Sequence, residues 1–232
     1  MKKFRLVILA VSSSLVILSS CLKDSNTTQP PLGVFLLAQV SPDAPNLSVY
    51  INNSLFDTLH FSNYTPYVTA NPGTYEIQID SFPSTTSLLK NSITIEAKKN
   101  YSYFIIDSFH KIKSAWINDV FKAPSSDSAY VRFFNFCPNS GALSLAETGG
   151  STFSGNRIFN DQQSNPQYIA FQEVKAGSYS FDLKDTSGAV RKTQTINLTG
   201  GHVYTLFAKG IIGSADTTRA LSIGQLENYP QQ

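Results

Sequence analysis

The stretch from Gly73 to Ile79 reads GTYEIQI, and the stretch from Gly177 to Leu183 reads GSYSFDL. In both, apolar and polar side chains alternate along the chain. Alternation with a period of two predicts a β-strand that has one buried face and one face in water. The glycine before each strand supplies turn geometry that other residues adopt poorly. These two strands therefore indicate a β fold and suggest that it is repeated.

Two further blocks repeat in the same order. Ile93–Ile95 matches Ile196–Leu198, and Tyr101–Phe104 matches Tyr204–Phe207. The offset is 104 positions for the glycine blocks (73 and 177) and 103 for the other two pairs (93 and 196, 101 and 204). Three matched blocks at nearly one spacing indicate a duplication.

Short runs rich in Tyr, Phe, Ile, Val and Thr recur between clusters of Pro, Gly, Asn, Asp and Ser, with no long stretch at helical spacing. We therefore expect an all-β protein of two tandem antiparallel β-sandwich domains, immunoglobulin-like in layout, with roughly seven or eight strands each. The predicted domains span residues 34–123 and 129–229. The short polar junction at residues 123–128 should limit their relative motion.

The N-terminus has the pattern of a bacterial lipoprotein signal peptide. A basic start with Lys2, Lys3 and Arg5 precedes the apolar run Leu6–Leu18, and the sequence LSSC ends at Cys21. A membrane span needs about 20 apolar residues, more than this run offers. We predict cleavage after residue 20 and lipidation of Cys21, which would anchor the protein to a membrane without spanning it.

Residues 21–33 then form the predicted tether, which is polar and contains prolines. Leu22 stands directly after the lipidated cysteine, where an aspartate would be the usual signal for retention at an inner membrane. We therefore expect a cell-envelope protein that is lipid-anchored in the outer membrane. The sequence leaves open whether it faces the periplasm or the cell surface.

Cleavage changes the charge balance. The chain has 18 basic and 16 acidic residues, and losing Lys2, Lys3 and Arg5 leaves 15 against 16, a net charge of −1. This balance does not favour a nucleic-acid partner. With Cys21 lipidated, Cys137 is the one remaining thiol, so no internal disulfide is expected. It follows the aromatic run Tyr130–Phe136, which favours an inert core position over a reactive thiol.

The stretch Ala38–Asn52, AQVSPDAPNLSVYIN, resembles the opening signature of the family called domain of unknown function (DUF) 4397. Gly73–Tyr75 and Tyr204–Phe207 resemble later elements of that family. The resemblance implies a secreted or lipid-anchored bacterial protein with β-sandwich domains, often repeated, and it implies no activity. The equivalent stretch in the second half, Cys137–Leu143, lacks the Asp-Ala-Pro sequence.

The loop from Ser41 to Asn46 has two interpretations. Asp43 with Ser41 and Asn46 could form a polar ligand site or a calcium site. Alternatively, the two prolines and Asp43 simply build a turn. Calcium sites gather six to eight oxygen ligands, so one aspartate favours the turn. We predict no metal and no cofactor.

Aromatic residues offer a second candidate surface. Tyr64 and Tyr67 lie in a loop-like stretch, and Trp116 is the single tryptophan. Exposed rings would suit stacking against a glycan, whereas buried rings would only fill the core. A glycan or an envelope protein are the partners that this interpretation allows.

The sequence indicates no catalytic site. His60, His110 and His202 are far apart and have no second ligand at metal-binding spacing. Two Ser-x-x-Lys matches lack the accompanying motifs of penicillin-recognising enzymes. We therefore expect a non-enzyme that acts as a noncatalytic binding or adhesion module. A structural spacer or envelope-assembly component is the alternative, and a hydrolase with an unrecognised carboxylate pair is the third.

Overall fold

The computed structural model describes residues 31–228, so the predicted signal peptide, Cys21 and most of the tether lie outside the described part. The first half contains eight strands: β1 (Gly33–Gln39), β2 (Leu47–Ile51), β3 (Ser54–Leu59), β4 (Val68–Ala70), β5 (Gly73–Ser81), β6 (Ser87–Ile95), β7 (Asn100–Ile106) and β8 (Lys113–Asn118). The second half contains eight more: β9 (Ser128–Asn135), β10 (Leu143–Glu147), β11 (Thr152–Arg157), β12 (Gln172–Lys175), β13 (Gly177–Lys184), β14 (Val190–Leu198), β15 (Val203–Lys209) and β16 (Ser222–Asn228). Three short 3-10 helices lie at Phe109–Lys111, Asp161–Gln163 and Pro166–Ile169. Within residues 31–228, no helix has the length and apolar character that crossing a membrane requires.

Each half is a sandwich of two four-stranded sheets, which confirms the predicted fold class. The inner sheets have the orders β4-β1-β7-β8 and β12-β9-β15-β16, and the outer sheets β3-β2-β5-β6 and β11-β10-β13-β14. The two halves have the same topology, and Gly73 and Gly177 share the same φ of 158°. These correspondences support the predicted duplication.

One strand pair in each half differs from the all-antiparallel arrangement that we expected. β1 pairs with β7, and β9 with β15, in parallel, while the other strand pairs of the sheets are antiparallel. A parallel pair needs a long crossover connection. Here the intervening strands supply it, because β2, β3, β5 and β6 form the opposite sheet before the chain returns to β7.

The two sandwiches share a hydrophobic layer. Each half has its own core between its outer and inner sheets. A third cluster joins the two inner sheets, where Leu36 and Phe104 of the first half are clustered with Phe134 and Phe207 of the second. The ring centroids of Phe104 and Phe207 are 5.8 Å apart. The molecule is therefore a stack of four sheets rather than two domains joined only by a linker.

This stacking explains why the inner strands do not alternate. β7, Asn100–Ile106, is buried at every position, and β9 is buried at seven of its eight. Continuous apolar runs are typical of strands that are covered on both faces. The outer strand β14 alternates towards its end, as a strand with one wet face should.

A buried polar cluster crosses the layer between the inner sheets. Arg132 of β9 donates from Nη2 to Oδ1 of Asp119 at 2.5 Å and from Nε to Oγ1 of Thr205 at 2.8 Å. Oδ2 of Asp119 accepts hydrogen bonds from Ser102 Oγ at 2.6 Å and from the Tyr67 hydroxyl at 3.2 Å. Both side chains of the ion pair are fully buried. We call Arg132, Asp119, Ser102, Tyr67, Thr205 and Asn228 the inter-half cluster.

Cys137 is buried, as expected, and burial raises the pKa of its thiol. Its backbone N–H donates to Oδ1 of Asn135 at 3.0 Å. The backbone N–H of Ser41 donates in the same way to Oε1 of Gln39 at 2.6 Å. The same turn is therefore built twice, once after the first strand of each half.

Candidate binding face

The loops of the stack lie at two opposite ends. The tether end is the end at which β1 begins, and it includes residues 52–53, 71–72, 96–99 and 119–127. The distal end is where β1 finishes, and its loops are 40–46, 60–65, 82–86 and 107–112 in the first half and 136–142, 158–163, 185–189 and 210–221 in the second. The distal ends of the two halves touch, because the Lys113 ammonium of the first half lies 5.8 Å from the centroid of Phe159 in the second.

The 40–46 loop contains three of the residues that the sequence suggested as a ligand site. Asp43 is exposed, and its Oδ1 accepts a hydrogen bond from the backbone N–H of Phe109 at 2.8 Å. Oδ1 of Asn46 lies 2.7 Å from Nδ1 of His60. Ser41 is buried, with a hydroxyl that has no partner. Asp43 and Asn46 thus join the 40–46 loop to two neighbouring loops.

Side chains of the second half also contact the 40–46 loop and the neighbouring 60–65 loop. Arg219 donates from Nη1 to the carbonyl oxygens of Pro42 and, at 3.3 Å, of Ala44. Lys209 contacts the Ser62 hydroxyl and lies 5.4 Å from the ring centroid of Phe61. Burial lowers the pKa of Lys209. No local sequence signal predicts these contacts, because they join residues far apart along the chain.

Two aromatic rings project at the distal end of the first half. Tyr64 is 48% exposed and Phe82 is 47% exposed. The backbone of Tyr64 bridges to Ala38, and the backbone N–H of Phe82 donates to the carbonyl of Asn46 at 2.9 Å. The rings are therefore carried on backbone that is fixed to β1 and to the 40–46 loop. We call Asp43, Asn46, His60, Tyr64 and Phe82 the distal face.

Tyr67 and Trp116, the other two predicted residues, lie elsewhere. Tyr67 belongs to the inter-half cluster, and burial raises the pKa of its hydroxyl. Trp116 packs against the first core and stacks on Tyr101, with ring centroids 4.4 Å apart and an interplanar angle of 9°. The structure thus brings Ser41, Asp43, Asn46 and Tyr64 to one end of the molecule, and it gives Tyr67 and Trp116 packing roles.

A groove that the sequence did not suggest lies at the tether end. It measures about 450 Å³ and is lined mainly by apolar side chains, among them Leu32, Phe35, Ile51, Phe56 and Val68. The rings of Phe35 and Phe56 are 6.0 Å apart. No group of three His, Cys, Asp or Glu side chains able to hold a metal ion occurs within residues 31–228.

A family model described as a domain of unknown function, DUF4397, matches residues 36–146. These 111 residues are just under half of the 232-residue chain. The match confirms the resemblance noted in Ala38–Asn52. The DUF4397 match covers most of the first sandwich, crosses the connection between β8 and β9 at residues 119–127 and ends in β10 of the second.

Comparison of the chain with solved structures gives remote similarities, of which two follow. A carbohydrate-binding module of family CBM26 from Eubacterium rectale Amy13K, in complex with maltoheptaose, is 11% identical, with a TM-score of 0.29 and coverage of 86% of this chain and 97% of that one. A streptococcal virulence factor described by its alpha-glucan binding is 11% identical, with a TM-score of 0.25 and coverage of 75% and 92%. TM-scores this low carry no argument about fold or function. No curated protein sequence matches the chain.

Proposed function

We propose that this protein is a noncatalytic glycan-binding module of the cell envelope, held in the outer membrane by lipid on Cys21. The observation that carries the proposal is the distal face, where Tyr64 and Phe82 are each about half exposed. Exposed rings are suited to stacking against the apolar faces of sugars. The polar groups of Asp43, Asn46 and His60 beside them can bond sugar hydroxyls.

The construction of the distal face supports this function. Asp43 is bonded to the 107–112 loop, Asn46 to the 60–65 loop, and Arg219 of the second half to the 40–46 loop. Loops fixed in this way lose little conformational freedom when a ligand binds, so binding costs less entropy. The exposed rings stand among polar groups rather than in one continuous apolar patch, which favours a glycan over a protein partner.

Replacing Tyr64 with alanine should weaken glycan binding by about fivefold, because loss of one stacked ring removes on the order of 1 kcal/mol. A glycan array with the wild-type protein would identify a ligand, and calorimetry would then compare the variants. Phe56→Ala is the matched control, since Phe56 is a partly exposed ring at the opposite end. Absence of any glycan ligand, or equal affinity of wild type and Tyr64→Ala, would overturn the proposal.

The lipid anchor is tested separately. We expect radiolabelled palmitate fed to the cells to be incorporated into the wild-type protein and not into Cys21→Ser, because the variant lacks the acylated residue. Protease added to intact and to lysed cells would then show on which side of the membrane the sandwiches lie. Equal palmitate incorporation into Cys21→Ser would contradict lipidation at this residue.

A second candidate function is a structural spacer, and the shared layer between the sandwiches favours it. Four stacked sheets with a buried ion pair between the halves form a stiff unit. A spacer would bind no glycan, and crosslinking in cells would instead capture an envelope partner. The glycan array therefore distinguishes the two functions.

A further inference from the structure

Exposed large apolar side chains are confined to the two ends of the stack in the described residues. Tyr64, Phe82, Ile158 and Val190 lie at the distal end, and Leu55, Phe56 and Val120 lie at the tether end. Leu55 is 59% exposed and Val120 is 72% exposed. The distal group belongs to the proposed glycan site or its surroundings. The tether-end group has no role in that function.

The groove at the tether end continues this apolar surface. Leu32 and Phe56 line it together, so the groove begins where the tether enters the first sandwich. Cys21 lies ten residues before Pro31, the first described residue. Ten residues span at most about 36 Å when extended and roughly 16–19 Å as a flexible coil. A lipid on Cys21 would therefore keep this end of the molecule close to the bilayer.

The duplication provides an internal comparison for the apolar surface. Strand register places Leu55 opposite Tyr50 in the first half and Thr152 opposite Ala146 in the second, so Thr152 is the counterpart of Leu55. By the same reasoning, Glu147 is the counterpart of Ile51. Leu55 and Ile51 are thus replaced by polar side chains in the second half, although the backbone topology is the same, whereas the groove-lining Phe56 corresponds to Phe153. The topology therefore does not require apolar side chains at positions 51 and 55.

Charge differs between the halves in the same direction. At the tether end of the first half, Lys98 and Lys122 are exposed together with one carboxylate, Glu96. At that end of the second half, three carboxylates are exposed together with one ammonium group, namely Asp127, Glu147, Glu173 and Lys175. Lysines near an anionic lipid surface are attracted to it, and carboxylates are repelled. The half that follows the tether is therefore the one whose end suits a lipid surface.

We propose that the tether end of the first sandwich rests in the interface of the bilayer that holds Cys21. Leu55, Phe56 and Val120 reach the boundary between headgroups and acyl chains, and Lys98 and Lys122 contact anionic headgroups. The inference depends on the lipid anchor of the proposed function but not on glycan binding. It orients the molecule, since the distal face then points away from the membrane.

The test uses the full mature lipoprotein in liposomes of phosphatidylethanolamine and phosphatidylglycerol. Leu55→Cys carries a polarity-sensitive fluorophore, and Val190→Cys, at the distal end and 51% exposed, is the matched control. Cys137 is buried and its thiol pKa is raised, so the wild-type protein should remain unlabelled. We expect a blue shift at position 55 and loss of most of its fluorescence to spin-labelled lipids, with neither effect at position 190.

Flotation of the liposomes separates failure of the anchor from failure of the docking surface. Protein that floats but shows no lipid quenching at position 55 would overturn the docking surface and leave the anchor intact. Quenching at both positions would show a molecule lying on its side and would also overturn it. Protein that does not float would overturn the anchor and, with it, this inference.

Discussion

Replacing Asp119 with alanine should lower the free energy of unfolding by about 3–5 kcal/mol, because it leaves a buried charge without its partner. Arg132 would keep its hydrogen bond to Thr205 but lose the carboxylate that balances its guanidinium. Ser102 and Tyr67 would also lose their acceptor. Urea unfolding followed by circular dichroism would measure the change.

Two further variants show whether the charge is the cause. Glu76→Ala breaks a surface ion pair with Lys90 at 2.7 Å and should cost less than about 1 kcal/mol, since both side chains are well exposed. The double variant Asp119→Leu with Arg132→Met removes both buried charges and should be more stable than Asp119→Ala alone. A cost for Asp119→Ala no larger than that for Glu76→Ala would contradict the assignment of a buried pair.

Replacing Phe104 with alanine should also cost about 3–5 kcal/mol, and the loss should affect both halves. Phe104 belongs to the first half, but its ring centroid lies 4.9 Å from that of Phe136 and 5.8 Å from that of Phe207, both in the second. A cavity at this position therefore removes contacts from both inner sheets. We expect Trp116 fluorescence, which reports on the first half, and hydrogen exchange of β15, in the second, to give the same transition midpoint.

The control for this prediction is Tyr64→Ala, which removes an exposed ring and should change stability by less than about 0.5 kcal/mol. If Phe104→Ala lowered the midpoint of the first half and left that of β15 unchanged, the halves would be independent domains. Such a result would contradict the shared layer.

The sequence allowed prediction of the repeat and the outer sheets, because their strands keep one face in water. The alternation in Tyr75–Ile79 therefore sufficed to place β5. The inner strands were recognised as strands, but the covering of both their faces was missed. The signal was present in Tyr130–Phe136, where Arg132 and Asn135 interrupt an apolar run and are both buried. A charge in such a run needs a buried partner.

The buried partner of Arg132 could not be identified from the spacing of residues along the sequence. Asp119 lies beside the polar junction that we interpreted as a linker, and nothing local distinguishes it from a solvated residue. Arg219, which holds the 40–46 loop, is 177 residues from Pro42 along the chain. Turn chemistry is local, so the prolines at 42 and 45 suggested a turn, but the hydrogen bond between Asp43 and Phe109, 66 residues apart, has no local signal. Contacts between the halves depend on the docking of whole sheets, which no short motif encodes.

The shared layer also bears on how such a repeat can evolve. A self-contained domain can be copied, lost or moved into another protein, because it buries its apolar surface without help from a neighbour. Neither sandwich here has that freedom, since each would expose one face of its inner sheet, and the second would carry Arg132 without Asp119. Because the two inner sheets pack against each other, the two halves must be inherited together. A mutation in one inner sheet is then acceptable when it still packs against the other sheet.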